Sequence, residues 1–253
     1  MKKARAEVKI SDFEFLNDND IEFEEGTVLM VENVKDLLPS MIDRRRLIRV
    51  QSIRILNDND YFSSEDGNMV FSRKTKSLLF CLEREGDIVI PDGVEVIAEG
   101  VFQNSDIRSV FMSDSVVEIE SSAFAGCQKL KNVHFSQSLR KIGDFSFSRT
   151  DIRSAELPDS LIDIGDGAFS GCLSLKDVRF PSKLKRIGMR AFFRTDIRSA
   201  ELPDSLTKIE FGAFERCTGL ESVRIPKNIK IIGYRAFSWT KVNPEELHLQ
   251  TEI

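Results

Sequence analysis

Four cysteines, two histidines and two runs of alternating Asn and Asp hold most of the chemical potential of this 253-residue chain. Cys127, Cys172 and Cys217 stand 45 residues apart at one position of a repeating pattern. In stacked strands they would lie two layers from each other, about 9.6 Å at the usual strand spacing, beyond the reach of a disulfide. A thiol metal site needs closely spaced thiols or His partners, and this spacing supplies neither. The three read as small buried hydrophobes. Cys81 lies in a separate apolar strand with no evident partner. Asn17-Asp18-Asn19-Asp20 and Asn57-Asp58-Asn59-Asp60 invite a calcium reading. Neither run has the Gly and later Glu of a calcium loop at the required offsets, and polar turn chemistry accounts for both. His134 falls on a strand and His248 near the chain end, with no nucleophile motif, phosphate-cradling loop or ligand cluster around either. Neither an enzyme nor a cofactor or metal is expected.

The elements that must position these residues are repeats. A turn residue recurs at Pro91, Ser113, Ser136, Pro158, Pro181, Pro203 and Pro226, and a Phe at Phe102, Phe124, Phe147, Phe169, Phe192, Phe214 and Phe237. Both series step alternately by 22 and 23 residues. A period of 20 to 29 with regularly spaced aliphatic residues is the signature of a leucine-rich solenoid, whose units bury their apolar face only by stacking. The 23-residue steps carry the cysteines, so the unit of duplication is a doublet of 45 residues. Residues 147–161 recur almost unchanged at 192–206.

Within one unit, Leu175-Lys176-Asp177-Val178-Arg179-Phe180 alternates with a period of two: Leu175, Val178 and Phe180 inward, Asp177 and Arg179 outward. Pro181, which lacks an N–H, ends the strand. A second extended piece buries Leu184 and Ile187, Gly188 supports a turn, and Ala191 and Phe192 close the rung. Seven stacked Phe rings are expected to form a continuous spine with a structural role.

The expected fold class is a β-rich solenoid of about seven regular rungs over residues 88–242. Residues 1–87 read as irregular strands and a hairpin continuous with that solenoid, and residues 243–253 as a tail or partial cap. Phe13 to Ile21 and Ile53 to Tyr61 are copies 40 residues apart, each a short strand running into a polar loop. An antiparallel hairpin is predicted between Tyr61 and Leu82. At the far end Val242 starts another rung. Trp239, the only Trp, and the Glu245-Glu246 pair are expected to cap it; the alternative is an open edge through which terminal rungs of two copies self-associate.

The formal charge of −5 is concentrated at the start: residues 1–36 hold 10 of the 41 acids and 5 of the 36 bases, leaving 31 of each elsewhere. The repeats are neutral overall, so bulk attraction to nucleic acid or anionic membrane is not indicated. No apolar run is long enough for membrane insertion, and no export signal or lipidation motif is read in this chain. A cytoplasmic location is the default expectation; a surface or secreted one applies if the chain is a fragment.

Pro158-Asp159-Ser160-Leu161-Ile162-Asp163-Ile164-Gly165-Asp166-Gly167-Ala168-Phe169-Ser170-Gly171-Cys172 closely resembles the repeat of BspA-like leucine-rich-repeat proteins. The predicted hairpin from Tyr61 to Leu82 resembles an insertion that often precedes such repeats. The resemblance spans residues 50 to 242. It implies a solenoid fold and, weakly, a protein-binding or adhesive role of the kind secreted and surface members have; fold does not determine function.

Partners of such solenoids usually meet the concave strand face, where outward side chains form ladders about 4.8 Å apart. Three ladders can be read. The first runs Arg108, Lys131, Arg153, Lys176, Arg198, Glu221 and is basic until its last step. The second, Ser109, Asn132, Ser154, Asp177, Ser199, Ser222, is small and polar. The third runs Phe111, His134, Glu156, Arg179, Glu201, Arg224 and alternates in sign over its last four steps, which predicts pairing between adjacent strands. Like charges on the first ladder repel, with Asp106, Asp151 and Asp196 placed to compensate. Arg108, Lys131, Arg153, Lys176 and Arg198 of the first ladder, with all six residues of the third, form the candidate binding surface; the basic stripe reads either as solvated surface or as a site for an acidic protein or an anionic glycan, and the sign alternation of the third ladder argues for a structural role.

Overall fold

A computed structural model describes residues 7–10, 23–32, 47, 49–56 and 60–243. The chain is a β-solenoid of about eight turns, with no α-helix among the described residues. Three strands precede the regular rungs: β1 (Glu7–Ile10), β2 (Thr27–Val31) and β3 (Val50–Ile55), paired in parallel in that order. An antiparallel unit follows, β4 (Tyr61–Ser63), β5 (Met69–Ser72) and β6 (Ser77–Cys81), where the hairpin is predicted. Then comes β7 (Glu85–Ile90), the first strand of the rungs.

Each later rung contributes two strands. Back strands of two residues, Val96–Ile97, Glu118–Ile119, Lys141–Ile142, Asp163–Ile164, Arg186–Ile187, Lys208–Ile209 and Ile231–Ile232, pair in parallel and are joined at one end by β6, β5 and β4 into a ten-stranded sheet. Face strands, Asp106–Met112, Asn132–His134, Ser154–Glu156, Asp177–Arg179, Ser199–Glu201 and Ser222–Arg224, carry the second and third ladders, and the first ladder after Arg108 stands one residue ahead of each strand. The doublet shows in their pairing: Ser154–Glu156 pairs with Asp177–Arg179, and Ser199–Glu201 with Ser222–Arg224, as separate two-stranded sheets.

The core runs between the two rows. Every back-strand Ile from Ile97 to Ile209 is buried, as are Leu130, Leu175 and Leu220 under the face strands. The seven Phe rings form the predicted spine, with successive centroids 5.1 to 5.4 Å apart and planes within 8° of parallel. The stacking is parallel because each rung repeats the same backbone about one strand spacing further on. A second, smaller core beside the first strands gathers Leu29, Val31, Leu47, Val50 and Ile53 with Val70 and Phe80 of the hairpin, whose Phe71 and Leu78 face the main core.

Hydrogen bonding explains the cysteines. The third residue after each spine Phe alternates hydroxyl and thiol: Ser105, Cys127, Thr150, Cys172, Thr195, Cys217, Thr240. Cys127, Cys172 and Cys217 donate to the carbonyls of Phe102, Phe147 and Phe192 at 3.0 to 3.1 Å, and their sulfurs lie 3.2 to 3.3 Å from the hydroxyls of Ser105, Thr150 and Thr195. Burial pushes the thiols of Cys172 and Cys217 up to about 11. All four cysteines are free and buried.

Gly188 opens the turn expected of it, its carbonyl accepting from the Ala191 amide at 3.2 Å, and it also serves a close approach: a Cβ there would sit 2.6 Å from the carbonyl carbon of Gly165 in the preceding rung. Other turns place bulky residues in left-handed backbone, Arg194 (φ 56°), Arg216 (φ 61°) and Trp239 (φ 63°) among them. That conformation disfavours an L side chain.

Candidate binding face

All eleven proposed site residues lie on the face-strand side with exposed side chains, and the structure divides them. In the third ladder, Phe111 and His134 are register partners whose rings stack at 4.4 Å. Glu156 and Arg179 are also register partners, as are Glu201 and Arg224. The arginines, however, pair elsewhere. Arg179 donates to the Leu157 carbonyl at 3.0 Å and forks onto the Asp159 carboxylate at 3.0 and 3.1 Å. Arg224 repeats this one doublet later, donating to Leu202 and Asp204, both at 2.8 Å. The backbone amide of Ser182 and the guanidinium of Arg179 hold the Asp159 carboxyl below its usual range. A long guanidinium reaches past the neighbouring strand to the turn of the preceding rung, where a carbonyl and a carboxylate await it together.

The first ladder has fewer partners. Backbone bonds connect its steps from Arg108 to Lys131, from Arg153 to Lys176, from Lys176 to Arg198 and from Arg198 to Glu221. Of the three aspartates placed to compensate it, Asp196 lies 3.9 Å from Lys176. Asp106 binds Lys129 at 2.8 Å, and Asp151 accepts from Ser174 at 2.5 Å. Glu221 is held by Lys241 at 2.8 Å, which keeps its carboxyl below the usual value. Among the described residues, the exposed cations Arg108, Lys131, Arg153 and Arg198 make no side-chain ion pair, and of these Arg198 lies near enough to Glu221 to help hold that carboxyl down.

Two concavities lie off the ladders and were not foreseen from sequence. One of about 540 Å³ is lined by Leu173, Arg194, Asp196, Arg216 and Trp239. Trp239 is 71% exposed there; Glu245-Glu246, expected to join it in a cap, lies outside the described residues. The chain does begin a further rung, since the Lys241 amide donates to the Leu220 carbonyl at 2.9 Å and Val242 is buried. The other concavity, about 680 Å³, lies between the hairpin and the first rung. Both Asn-Asp runs and His248 fall wholly or largely outside the described residues. Among the described residues no cluster of His, Cys, Asp and Glu could hold a metal, and no helix is long and apolar enough to cross a membrane.

No curated protein is significantly similar to the chain. Among solved structures it resembles the T. pallidum leucine-rich-repeat protein TpLRR, at 28% identity over 69% of this chain and 81% of that one, with a TM-score of 0.59. A leucine-rich-repeat protein from Bacteroides ovatus is 22% identical over 74% of this chain and 57% of its own length, with a TM-score of 0.51. The pneumococcal vaccine antigen PcpA is 15% identical over 94% of this chain and 67% of that one, with a TM-score of 0.56. The last two likenesses are of fold alone. The family model of the BspA-type leucine-rich-repeat region matches residues 80–164 and 140–252 in six copies, and with the stacked rungs and Phe spine this makes the chain a member of the BspA-type leucine-rich-repeat family.

Proposed function

We propose that the chain is a non-catalytic protein-binding module that holds an acidic partner surface against its first ladder, in adhesion or scaffolding. The observation that carries this reading is the set of exposed, unpaired cations at Arg108, Lys131, Arg153 and Arg198, beside a ladder whose arginines are satisfied by the protein itself. Like charges in register destabilise a sheet, and a partner's carboxylates would relieve that cost while gaining charge-assisted hydrogen bonds. The non-catalytic part of the reading is supported by His134, which is exposed and stacked on Phe111. The test is an unbiased pulldown with the wild-type chain and a variant carrying Arg108, Lys131, Arg153, Lys176 and Arg198 changed to Ser, both checked for equal folding. A protein retained by the first and lost by the second supports the reading, and identical lists refute it. Loss of retention after glycosidase treatment of the extract would transfer the role to an anionic glycan.

A further inference from the structure

Among the described residues, the N-terminal edge of the face is open. β7 ends the three-stranded sheet that also contains Asp106–Met112 and Asn132–His134. The hairpin before it supplies a back strand, β6, paired with Val96–Ile97, but among the described residues no strand pairs with the outer side of β7. The Ser113 amide donates to the Ile90 carbonyl, so Ile90 faces the sheet and strand alternation turns the backbone groups of Asp87 and Val89 outward. Among the described residues no hydrogen bond satisfies those groups. At the opposite end, by contrast, Lys241 and Val242 follow the last face strand.

Beside this edge lies the concavity of about 680 Å³, with Phe62, Met69, Phe71, Val89, Pro91 and Val94 among its lining. Val89 is 63% exposed and stands in register with Phe111, which pairs with His134, so an apolar column starts at the open edge. The surroundings are acidic. Glu65, Asp66 and Asp92 line the concavity, and Glu85 and Asp87 are exposed on β7. The two bases of the lining are engaged, Arg73 over the Phe62 ring at 4.3 Å and Lys76 with Glu95 at 2.5 Å. Burial and the nearby Asp66 push the Glu83 carboxyl up, as expected where acids crowd without a cation.

We propose that β7 takes up an extended segment of a partner protein as an added strand, with apolar side chains in the concavity and Lys or Arg side chains opposite Asp87 and Glu85. Unsatisfied backbone donors and acceptors in a row match only another backbone, the concavity selects the inward side chains, and the acids select the outward ones. This site is separate from the basic ladder and opposite to it in charge, so either can fail without the other.

The test is fluorescence anisotropy with a labelled decapeptide of alternating Val and Lys, added to the full chain. Saturable binding is expected, weakened by about tenfold or more when every second amide of the pairing phase is N-methylated, because several backbone hydrogen bonds are lost together. Replacing Lys by Glu in the peptide is expected to abolish binding. Val89→Pro should do the same, since an edge strand tolerates Pro while losing a donor; the N-methylated peptides give the same answer without altering the protein. Absence of saturation, equal binding of both N-methylated phases and the parent, or equal binding of the Val/Glu peptide would overturn the proposal. So would a dimer of the free chain that Val89→Pro dissociates, which would make a second copy the occupant.

Discussion

Arg153 and Glu156 belong to two columns of charge on one face, three residues apart in each rung, and the columns differ in what the neighbouring turn offers. Arg179 and Arg224 stand at the ends of their strands, level with the turn of the preceding rung, where Asp159 and Asp204 follow Pro158 and Pro203. Arg153 and Arg198 stand before the start of theirs, and the nearby Asp151 and Asp196 are engaged by Ser174 and Lys176. Exposure alone therefore does not distinguish scaffold charge from free charge on this solenoid. An acceptor in the adjacent turn does.

The comparison can be broken by disturbing the frame that both columns share. Phe169→Ala removes a fully buried ring that stacks on Phe147 and Phe192 and should cost about 3–5 kcal/mol. Because rungs are stabilised through their neighbours, thermal melting and hydrogen exchange should show the loss spreading to the rungs on both sides. A loss confined to one rung would contradict nearest-neighbour coupling.

Alkaline pH loosens the same frame more gently. The folded state holds Cys172 and Cys217 as neutral thiols with pKa about 11, against an ordinary 9.0. Their stabilisation is fully present below pH 9 and is lost as the pH rises from about 9 through 11, on the order of 3 kcal/mol per thiol. Denaturant melts across that window should show the decline, and a variant with both cysteines changed to Ala should lack it. Thiol reagents at neutral pH should label neither residue until the chain unfolds.

The smallest effect sharpens the comparison. Arg179→Ser with Arg224→Ser removes exposed pairs and should shift the melting temperature by no more than about 4 °C. A larger shift would mean that these guanidinium bridges hold the rungs together and do not merely decorate them.

Much of this was legible in the residues. The 22/23 alternation located the rungs, the Phe column located the spine, and the 45-residue spacing of the cysteines correctly excluded disulfides. What escaped has physical reasons. Ladder reasoning follows Cβ register and therefore set Arg179 against Glu156, but a guanidinium on a long stem chooses the bidentate acceptor within its reach. The contact of the Thr150 hydroxyl with Cys172 joins residues 22 apart and leaves no mark in the apolar pattern of either unit. The turn at Gly188 was legible, but its close approach to Gly165 was not, because crowding between rungs leaves no mark in a single strand's pattern. The open edge at β7 depends on the hairpin joining the back sheet and not the face, a choice of tertiary pairing that alternation cannot reveal. Arg194, Arg216 and Trp239 came together because every rung repeats one left-handed turn, which the sequence disguises by placing Gly at some copies and bulky residues at others.

The central claim is that the arginines of the third ladder are held by acceptors in the adjacent turn and those of the first ladder are not. Two double variants with the same change in charge, Arg153→Ser with Arg198→Ser and Arg179→Ser with Arg224→Ser, separate these by salt-gradient elution from immobilised polyglutamate. Unpaired cations contribute to binding in a salt-dependent way, while cations already neutralised by the protein contribute less. The first double variant should elute at clearly lower salt than the wild-type chain, and the second should elute close to it. Equal shifts for the two would show that the ladders are interchangeable surface charge, and would contradict the account.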